Sequence, residues 1–263
     1  MRFISPNVHL MKSLAFTTVL LLSFTACQEQ SGNAQNISPT NKIYTSTGEI
    51  PAPEGYRPIG ASLGSFGFWL SQVALKKDKT VYLYDGSLKR NQQAQFAVLD
   101  ISVGNKDLQQ CADAVMRLRA EYLYAQERYS EIVFKDDNNK SYTFTTPYTR
   151  DHFMRYMNNV FSLCGTHSLE KQLRQQSAFT DIQPGDILIK GGFPGHAVIV
   201  MRVVQNEAGH KLYLLAQSYM PAQDIHILVN PNNSKLSPWY DATAPGKIQT
   251  PEWMFEKQQL RKW

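Results

Sequence analysis

The segment PGDILIKGGFPGHAVIVMRVV, residues 184–204, decides the fold of this chain. Its two runs of apolar and β-branched residues, 185–190 and 196–204, flank a glycine-rich turn, which is typical of two neighbouring β-strands. Runs of the same kind follow at 211–217 and 224–229. Because consecutive strands joined by short turns usually pair with each other, we predict an antiparallel sheet in the last third of the chain.

The chain before this sheet is mainly helical. Residues 107–124 place apolar side chains at helical spacing, with Asp107 as the predicted N-cap and Gln110 as its capping-box partner. Two further helices are predicted at residues 150–163 and 168–176. Short strand-like segments occur at residues 81–84, 95–101, 132–134 and 142–144. Helices first and a sheet afterwards predict an α+β fold.

The first 26 residues have the pattern of a lipoprotein signal peptide. The dipeptide Met11-Lys12 opens an apolar run, residues 14–24, which is too short to span a bilayer comfortably. Two small residues and then Cys27 follow directly. We therefore expect cleavage before Cys27, lipidation of its thiol (diacylglycerol, palmitate-type chains) and a membrane-anchored protein of the cell envelope that faces the periplasm or cell surface. An ordinary secretory peptide with a chance cysteine is the alternative.

The remaining residues are predicted to form one domain behind a polar tether. Residues 27–50 contain few aliphatic side chains and read as a flexible linker, whereas residues 51–263 suffice for one hydrophobic core. The formal net charge is +5, and its lysines and arginines are spread along the chain, which indicates a solvated surface rather than a nucleic-acid interface. No residue spacing predicts a metal site, and no motif predicts a cofactor.

Two cysteines remain inside the predicted domain, Cys111 and Cys164. In an oxidising compartment they could form a disulfide with each other. Cys111 also lies on the apolar stripe of its helix, where a cysteine can serve as a small core residue. In a third interpretation Cys111 is a nucleophile, because a helix N-terminus and a nearby imidazole lower the pKa of a thiol.

The order of Cys111, His196 and Gln217 along the chain resembles that of papain-like cysteine hydrolases. In such enzymes a histidine takes the proton of the thiol, and a polar side chain on the next strand holds the imidazole in one tautomer. Gln110, or Gln109 beside it, could add an amide donor to the Cys111 backbone N–H in an oxyanion hole. Each residue also has a structural interpretation: His196 as a turn residue, Gln217 as a partner of a loop, and Gln110 as part of a helix cap.

Two family resemblances bear on this chemistry. Gly185-Asp186, followed ten residues after the aspartate by His196, resembles the strand pair of NlpC-type and CHAP amidases. That resemblance implies a papain-like fold, in which an N-terminal helix carrying the cysteine packs on a C-terminal antiparallel sheet, here with a helical insertion. A longer resemblance is to the family catalogued as domain of unknown function 4846, carried by residues 81–86, 107–123, 194–200 and 215–223.

The leading functional hypothesis is a lipid-anchored cysteine hydrolase of amide or isopeptide bonds, with peptide or peptidoglycan as the expected ligand. A non-catalytic envelope lipoprotein that binds a peptide or glycan in the same groove is the alternative. A structural lipoprotein with a Cys111–Cys164 disulfide is the third hypothesis. The three differ in one measurable property, the state of the Cys111 thiol.

Overall fold

The structure, a computed structural model, describes residues 43–263. The predictions for the signal peptide at residues 1–26, for Cys27 and for most of the tether lie outside the described residues. At its end the predicted tether was too long, because Thr47 is fully buried and its N–H donates to the Val73 carbonyl at 3.0 Å. No helix among the described residues is long and apolar enough to cross a membrane.

The helices of the described residues are α1 Phe66–Gln72, α2 Cys111–Ala125, α3 Arg150–Leu163 and α4 Thr166–Gln172. The hydroxyl of Thr149 caps α3 by accepting from the His152 N–H at 3.3 Å, so that helix begins where the sequence predicts. The other two predicted helices had wrong bounds. Helix α2 starts at Cys111 rather than at Asp107, and residues 174–175 form a strand instead of ending a helix.

Strands β1 to β13 are, in chain order, Arg57–Ile59, Gln95–Val98, Val133–Lys135, Ser141–Thr143, Arg174–Gln175, Ile187–Lys190, His196–Gln205, Lys211–Gln217, His226–Leu228, Tyr240–Asp241, Ile248–Gln249, Met254–Phe255 and Leu260–Lys262. The main sheet has the order β2-β9-β8-β7-β6-β13-β5, with β1 added to β7 and β10 added to β8. Its neighbours are antiparallel, which confirms the α+β class and the antiparallel sheet. The predicted strand at 81–84 is wrong, since those residues make only isolated bridges.

Strand β7 lies between two hydrophobic clusters, because successive side chains of a strand point to opposite faces. Ala197 and Ile199 belong to the cluster that contains the buried side of α2. Val198 belongs to the second cluster, together with Phe255 of β12. Helix α2 therefore covers one face of the sheet, and its first residue, Cys111, lies beside the start of β7. This packing places the N-terminus of α2 beside the first residues of the central strand β7.

Candidate functional site

Cys111 is the first residue of α2, and Gln110 is the N-cap. The Gln110 N–H donates to Oδ2 of Asp113 at 3.0 Å, so the capping carboxylate comes from inside the helix. The predicted cap, Asp107, has another role: its Oδ1 accepts from Gln110 Nε2 at 3.0 Å and from the Ala222 N–H at 2.7 Å. Asp107 thereby ties the start of α2 to the loop between β8 and β9.

The Cys111 thiol is buried, with only 6% of the residue exposed. Burial raises its pKa to about 11, and the negative charge of Asp113 acts in the same direction. The backbone N–H groups of Ala197, Ala112 and Cys111 itself favour the thiolate and oppose this rise. The expectation that the helix N-terminus would lower this pKa is therefore wrong for the resting structure, since the loss of solvation outweighs the N–H groups.

His196 opens β7 and begins a chain of hydrogen bonds across the sheet. Its Nε2 lies 2.9 Å from Oε1 of Gln217, the last residue of β8. Nε2 of Gln217 donates to Oε2 of Glu252 at 2.7 Å. The same carboxylate oxygen accepts from Nζ of Lys89 at 2.8 Å. All four residues are largely removed from solvent, with side-chain exposures of 5% for Lys89 and 15% for Glu252.

This chain of hydrogen bonds fixes the tautomer of the His196 imidazole. A carboxylate only accepts hydrogen bonds, so the amide NH₂ of Gln217 must face Glu252 and its oxygen must face His196. The proton of a neutral His196 is therefore on Nε2, which leaves the Nδ1 lone pair free to accept a proton. Burial lowers the pKa of His196 to about 4, although the hydrogen bond that the ring donates to Gln217 acts in the opposite direction, so the neutral ring predominates.

Tyr219 packs beside the histidine. Its ring is 4.9 Å from the His196 ring in an edge-on arrangement, and its pKa is raised by burial and then by the charges of Glu252 and Cys111. Trp253 and Phe255 cover the imidazole from other sides, at 5.3 and 5.8 Å between ring centroids. Among the hydrogen bonds of the described residues, none joins the Cys111 thiol to the imidazole.

Cys111 lies in the wall of an open cleft of about 410 Å³. The cleft is bounded by the start of α2, by the junction of α3 and α4, by the turn between β6 and β7, and by Met220 after β8. Its mouth is apolar, because Phe193 is 99% exposed and Met220 is 55% exposed. The cleft can hold part of an extended chain beside Cys111.

Cys164 is the C-cap of α3 and lies in the same cleft. Both Cys164 and Cys111 are free thiols, so the predicted alternative of a disulfide between them is wrong for this structure. Burial raises the pKa of Cys164 to about 12, with nearby aspartates adding to the effect. Its position at the carboxyl end of a helix agrees with that direction, because the helix dipole there disfavours an anion.

Of the two glutamines proposed for an oxyanion hole, Gln110 is engaged elsewhere, whereas the amide nitrogen of Gln109 has no hydrogen-bond partner among the described residues. The Gln110 amide is held by Asp107, as described above. Gln109 is 1% exposed and lies behind the helix start, where Arg117 donates to its Oε1 at 2.9 Å. Its carbonyl accepts from the hydroxyl of Ser218 at 2.9 Å. The backbone N–H of Cys111 is a further donor beside the thiol, and it has no acceptor within its own helix.

The sequence patterns missed two members of the hydrogen-bond chain, Lys89 and Glu252. They are 163 residues apart, and neither belongs to a motif. In the sequence, Lys89 and Glu252 are single charged residues in segments without a helix or strand pattern, which gives no reason to pair them. His210, which has no partner spacing in the sequence, also has partners here: its ring bonds Tyr56 at 2.5 Å and Asp241 at 2.7 Å.

A model of the family described as Domain of unknown function (4846) matches residues 47–149 and 136–262. The chain belongs to this family. Cys111, His196, Gln217 and Glu252 all lie inside the matched region of this family member. Neither a curated protein nor a solved structure matches the chain.

Proposed function

We propose that this member of the family is a papain-like cysteine hydrolase of amide or isopeptide bonds, lipid-anchored to a membrane through Cys27. Cys111 is the nucleophile and His196 is the general base. The observation that carries the proposal is the chain His196–Gln217–Glu252, which leaves Nδ1 of the imidazole free at the end of the sheet where Cys111 lines a cleft. A histidine oriented by a second and a third polar group is the arrangement that general-base catalysis requires.

In the first step the Cys111 sulfur attacks the carbonyl carbon of the bound amide, and the thiol proton passes to Nδ1 of His196. The resulting imidazolium still donates its Nε2 proton to Oε1 of Gln217. The Glu252 carboxylate, which accepts from the amide of Gln217, stabilises the positive charge of the ring. The C–N bond then breaks as the Nδ1 proton moves to the leaving amine, and a thioester remains on Cys111. Water then attacks the thioester carbonyl and gives a proton to Nδ1; the C–S bond breaks as that proton passes from Nδ1 to the sulfur, which releases the acid and restores the neutral thiol and imidazole.

The resting pair is neutral, because burial keeps the thiol protonated and the imidazole unprotonated. The reaction therefore begins with proton transfer during attack rather than from a preformed ion pair. The oxyanion forms beside the Cys111 backbone N–H, whose hydrogen points out of the first turn of α2. In this mechanism Gln110 holds the start of the helix in place and does not touch the oxyanion, since its amide is bound to Asp107.

Cleavage of cell-wall peptides, isopeptide-linked dimers and a peptide library, followed by mass spectrometry, tests the proposal. We expect the wild-type chain to cleave a member of this set, and Cys111→Ala and His196→Ala to cleave none. Cys164→Ala is the matched control, because it removes a second buried thiol from the same cleft. Cleavage by Cys111→Ala, or a complete absence of cleavage by folded wild-type protein, would overturn the hydrolase.

One observation favours a second function, a non-catalytic peptide- or glycan-binding lipoprotein. The pKa of Cys111 is raised to about 11, which is the behaviour of a structural thiol rather than of an activated one. In that case the cleft binds its ligand without a covalent step, and calorimetric titration gives the same affinity for wild-type protein and Cys111→Ala. A product released only by the wild-type protein rules this second function out.

A further inference from the structure

The ionisable side chains that line the Cys111 cleft are mainly acidic. Three carboxyl groups lie in its wall, Asp107, Asp113 and Asp137, and no lysine or arginine of the described residues lines it. The one basic side chain in the wall is His167, whose Nδ1 lies 3.0 Å from Oδ1 of Asp137. A cleft lined by carboxylates attracts a positive charge, and its low-dielectric walls concentrate the field.

Asp113 adds an independent observation. It is 6% exposed, its Oδ2 accepts from the Gln110 N–H, and its Oδ1 has no hydrogen-bond partner among the described residues. Burial raises the pKa of Asp113 well above its usual range, because an ionised carboxylate with an unpartnered oxygen is costly there; a bound cation that donates to this oxygen would favour the ionised form. Because Asp113 follows Cys111 by two positions in α2 and lines the same cleft, such a donor would lie close to the reacting sulfur.

The rest of the cleft surface is suited to uncharged groups. Phe193 and Met220 form an apolar rim, and Phe161 and Leu108 are part of the wall. No three histidine, cysteine, aspartate or glutamate side chains of the described residues are grouped closely enough to hold a metal ion. The combination of carboxylates with an apolar rim fits an organic cation, such as an amine on a peptide, better than an inorganic one.

We propose that the cleft selects peptides that carry an ammonium group close to the amide bond presented to Cys111. The amine of a diamino acid side chain and a free peptide N-terminus share this chemistry. Asp107 and Asp137 attract the cation to the cleft that they line, and the unpartnered oxygen of Asp113 in the cleft wall is its acceptor. The proposal rests on the hydrolase function for the reaction itself and adds its substrate class.

Charged thiol reagents test the proposal without knowledge of the substrate. In the full chain with Cys27→Ser and Cys164→Ala, Cys111 is the remaining thiol of the three in the sequence. We compare its rates with 2-aminoethyl and 2-sulfonatoethyl methanethiosulfonate, each divided by the rate for the same protein unfolded in urea. The normalised rate should be about 10-fold higher for the cationic reagent, and this preference should shrink in 1 M salt.

Asp107→Asn and Asp137→Asn should each reduce the preference for the cationic reagent. Glu207→Gln is the matched control, because it removes the same charge from an exposed turn remote from the cleft, and it should leave the preference unchanged. Equal normalised rates for the two reagents, or an equal effect of Glu207→Gln, would overturn the cation site while leaving the hydrolase standing. A Cys111 that reacts with neither reagent in the folded protein would instead overturn the hydrolase.

Peptide substrates then separate the two sources of the ammonium group. A peptide that the protein cleaves is acetylated either at its side-chain amine or at its N-terminus. The KM for the peptide should rise when the acetylated amine is the one that the cleft binds. The unaffected modification shows which amine the site ignores. If neither acetylation changes KM, the selection of cationic peptides is wrong.

Discussion

The ionisation of Cys111 gives the sharpest test of the site. Burial moves the pKa of its thiol from 9.0 to about 11, and the two units correspond to about 2.7 kcal/mol against the thiolate. At any pH well below 9 the folded protein therefore holds about 100-fold less thiolate than an unperturbed cysteine, because each pKa unit is a factor of ten. Since the thiolate is the species that reacts, alkylation should be slowed by the same factor.

The assay is the rate of iodoacetamide modification between pH 6 and pH 11 in the full chain with Cys27→Ser and Cys164→Ala. The logarithm of the rate should rise with unit slope through pH 9 without a plateau, and the same sample in urea should level off near pH 9. His196→Ala should leave this profile unchanged, because the neutral imidazole makes no ion pair with the thiol. A plateau below pH 7 that disappears in His196→Ala would refute the burial argument and would show a preformed thiolate–imidazolium pair.

Three further outcomes follow from the same structure. Asp113→Asn should lower the pKa of Cys111 in the alkylation assay, because in the alkaline range where the thiol ionises it removes a negative charge, while its side-chain oxygen still accepts from the Gln110 N–H; an unchanged profile would contradict this. Burial raises the pKa of Asp186 from 3.8 to about 6, so its protonated form is favoured in the folded state and its contribution to stability is lost as pH rises through 6. This loss begins near pH 3.8 and is complete above pH 6, so urea unfolding should show Asp186→Asn gaining about 3 kcal/mol relative to wild type between pH 3 and pH 8, the equivalent of 2.2 pKa units; an equal difference at both pH values would count against it. Glu252→Gln should cost about 3 kcal/mol in unfolding free energy, because it leaves Lys89 buried without its counter-charge, and nitrogen NMR should show His196 losing its single Nε2–H tautomer; a fully retained tautomer would place the control of the imidazole elsewhere.

Local sequence determined much of the scaffold. The strand at Lys211–Gln217 and the helix at Arg150–Leu163 follow from apolar spacing and from the residues that end each run. The strand that starts at His196 was also readable from the sequence, because a glycine-rich turn precedes an unbroken run of apolar residues. These features depend on neighbours a few positions apart. A single sequence contains that information.

The start of α2 shows where local signals fail. Asp107 and Gln110 satisfy a capping pattern, but the Ala222 N–H bonds Asp107 outside the helix, and Gln110 is the N-cap with Asp113 as its capping-box partner. Residues 81–84 alternate like a strand but meet no continuous partner, so only isolated bridges form. In both places a contact with a remote segment decided between local structures of similar free energy.

The chemistry of the site depended on tertiary structure more than the fold did. Sequence order suggested Cys111, His196 and Gln217, but the partners that orient them, Glu252 and Lys89, come from segments 163 residues apart. The pKa of the thiol was predicted in the wrong direction, because the sequence shows the helix N-terminus but not the burial that outweighs it. Hydrophobic periodicity is a property of neighbouring residues, whereas desolvation and charge are summed over every segment that surrounds a group, and only the folded chain brings those segments together.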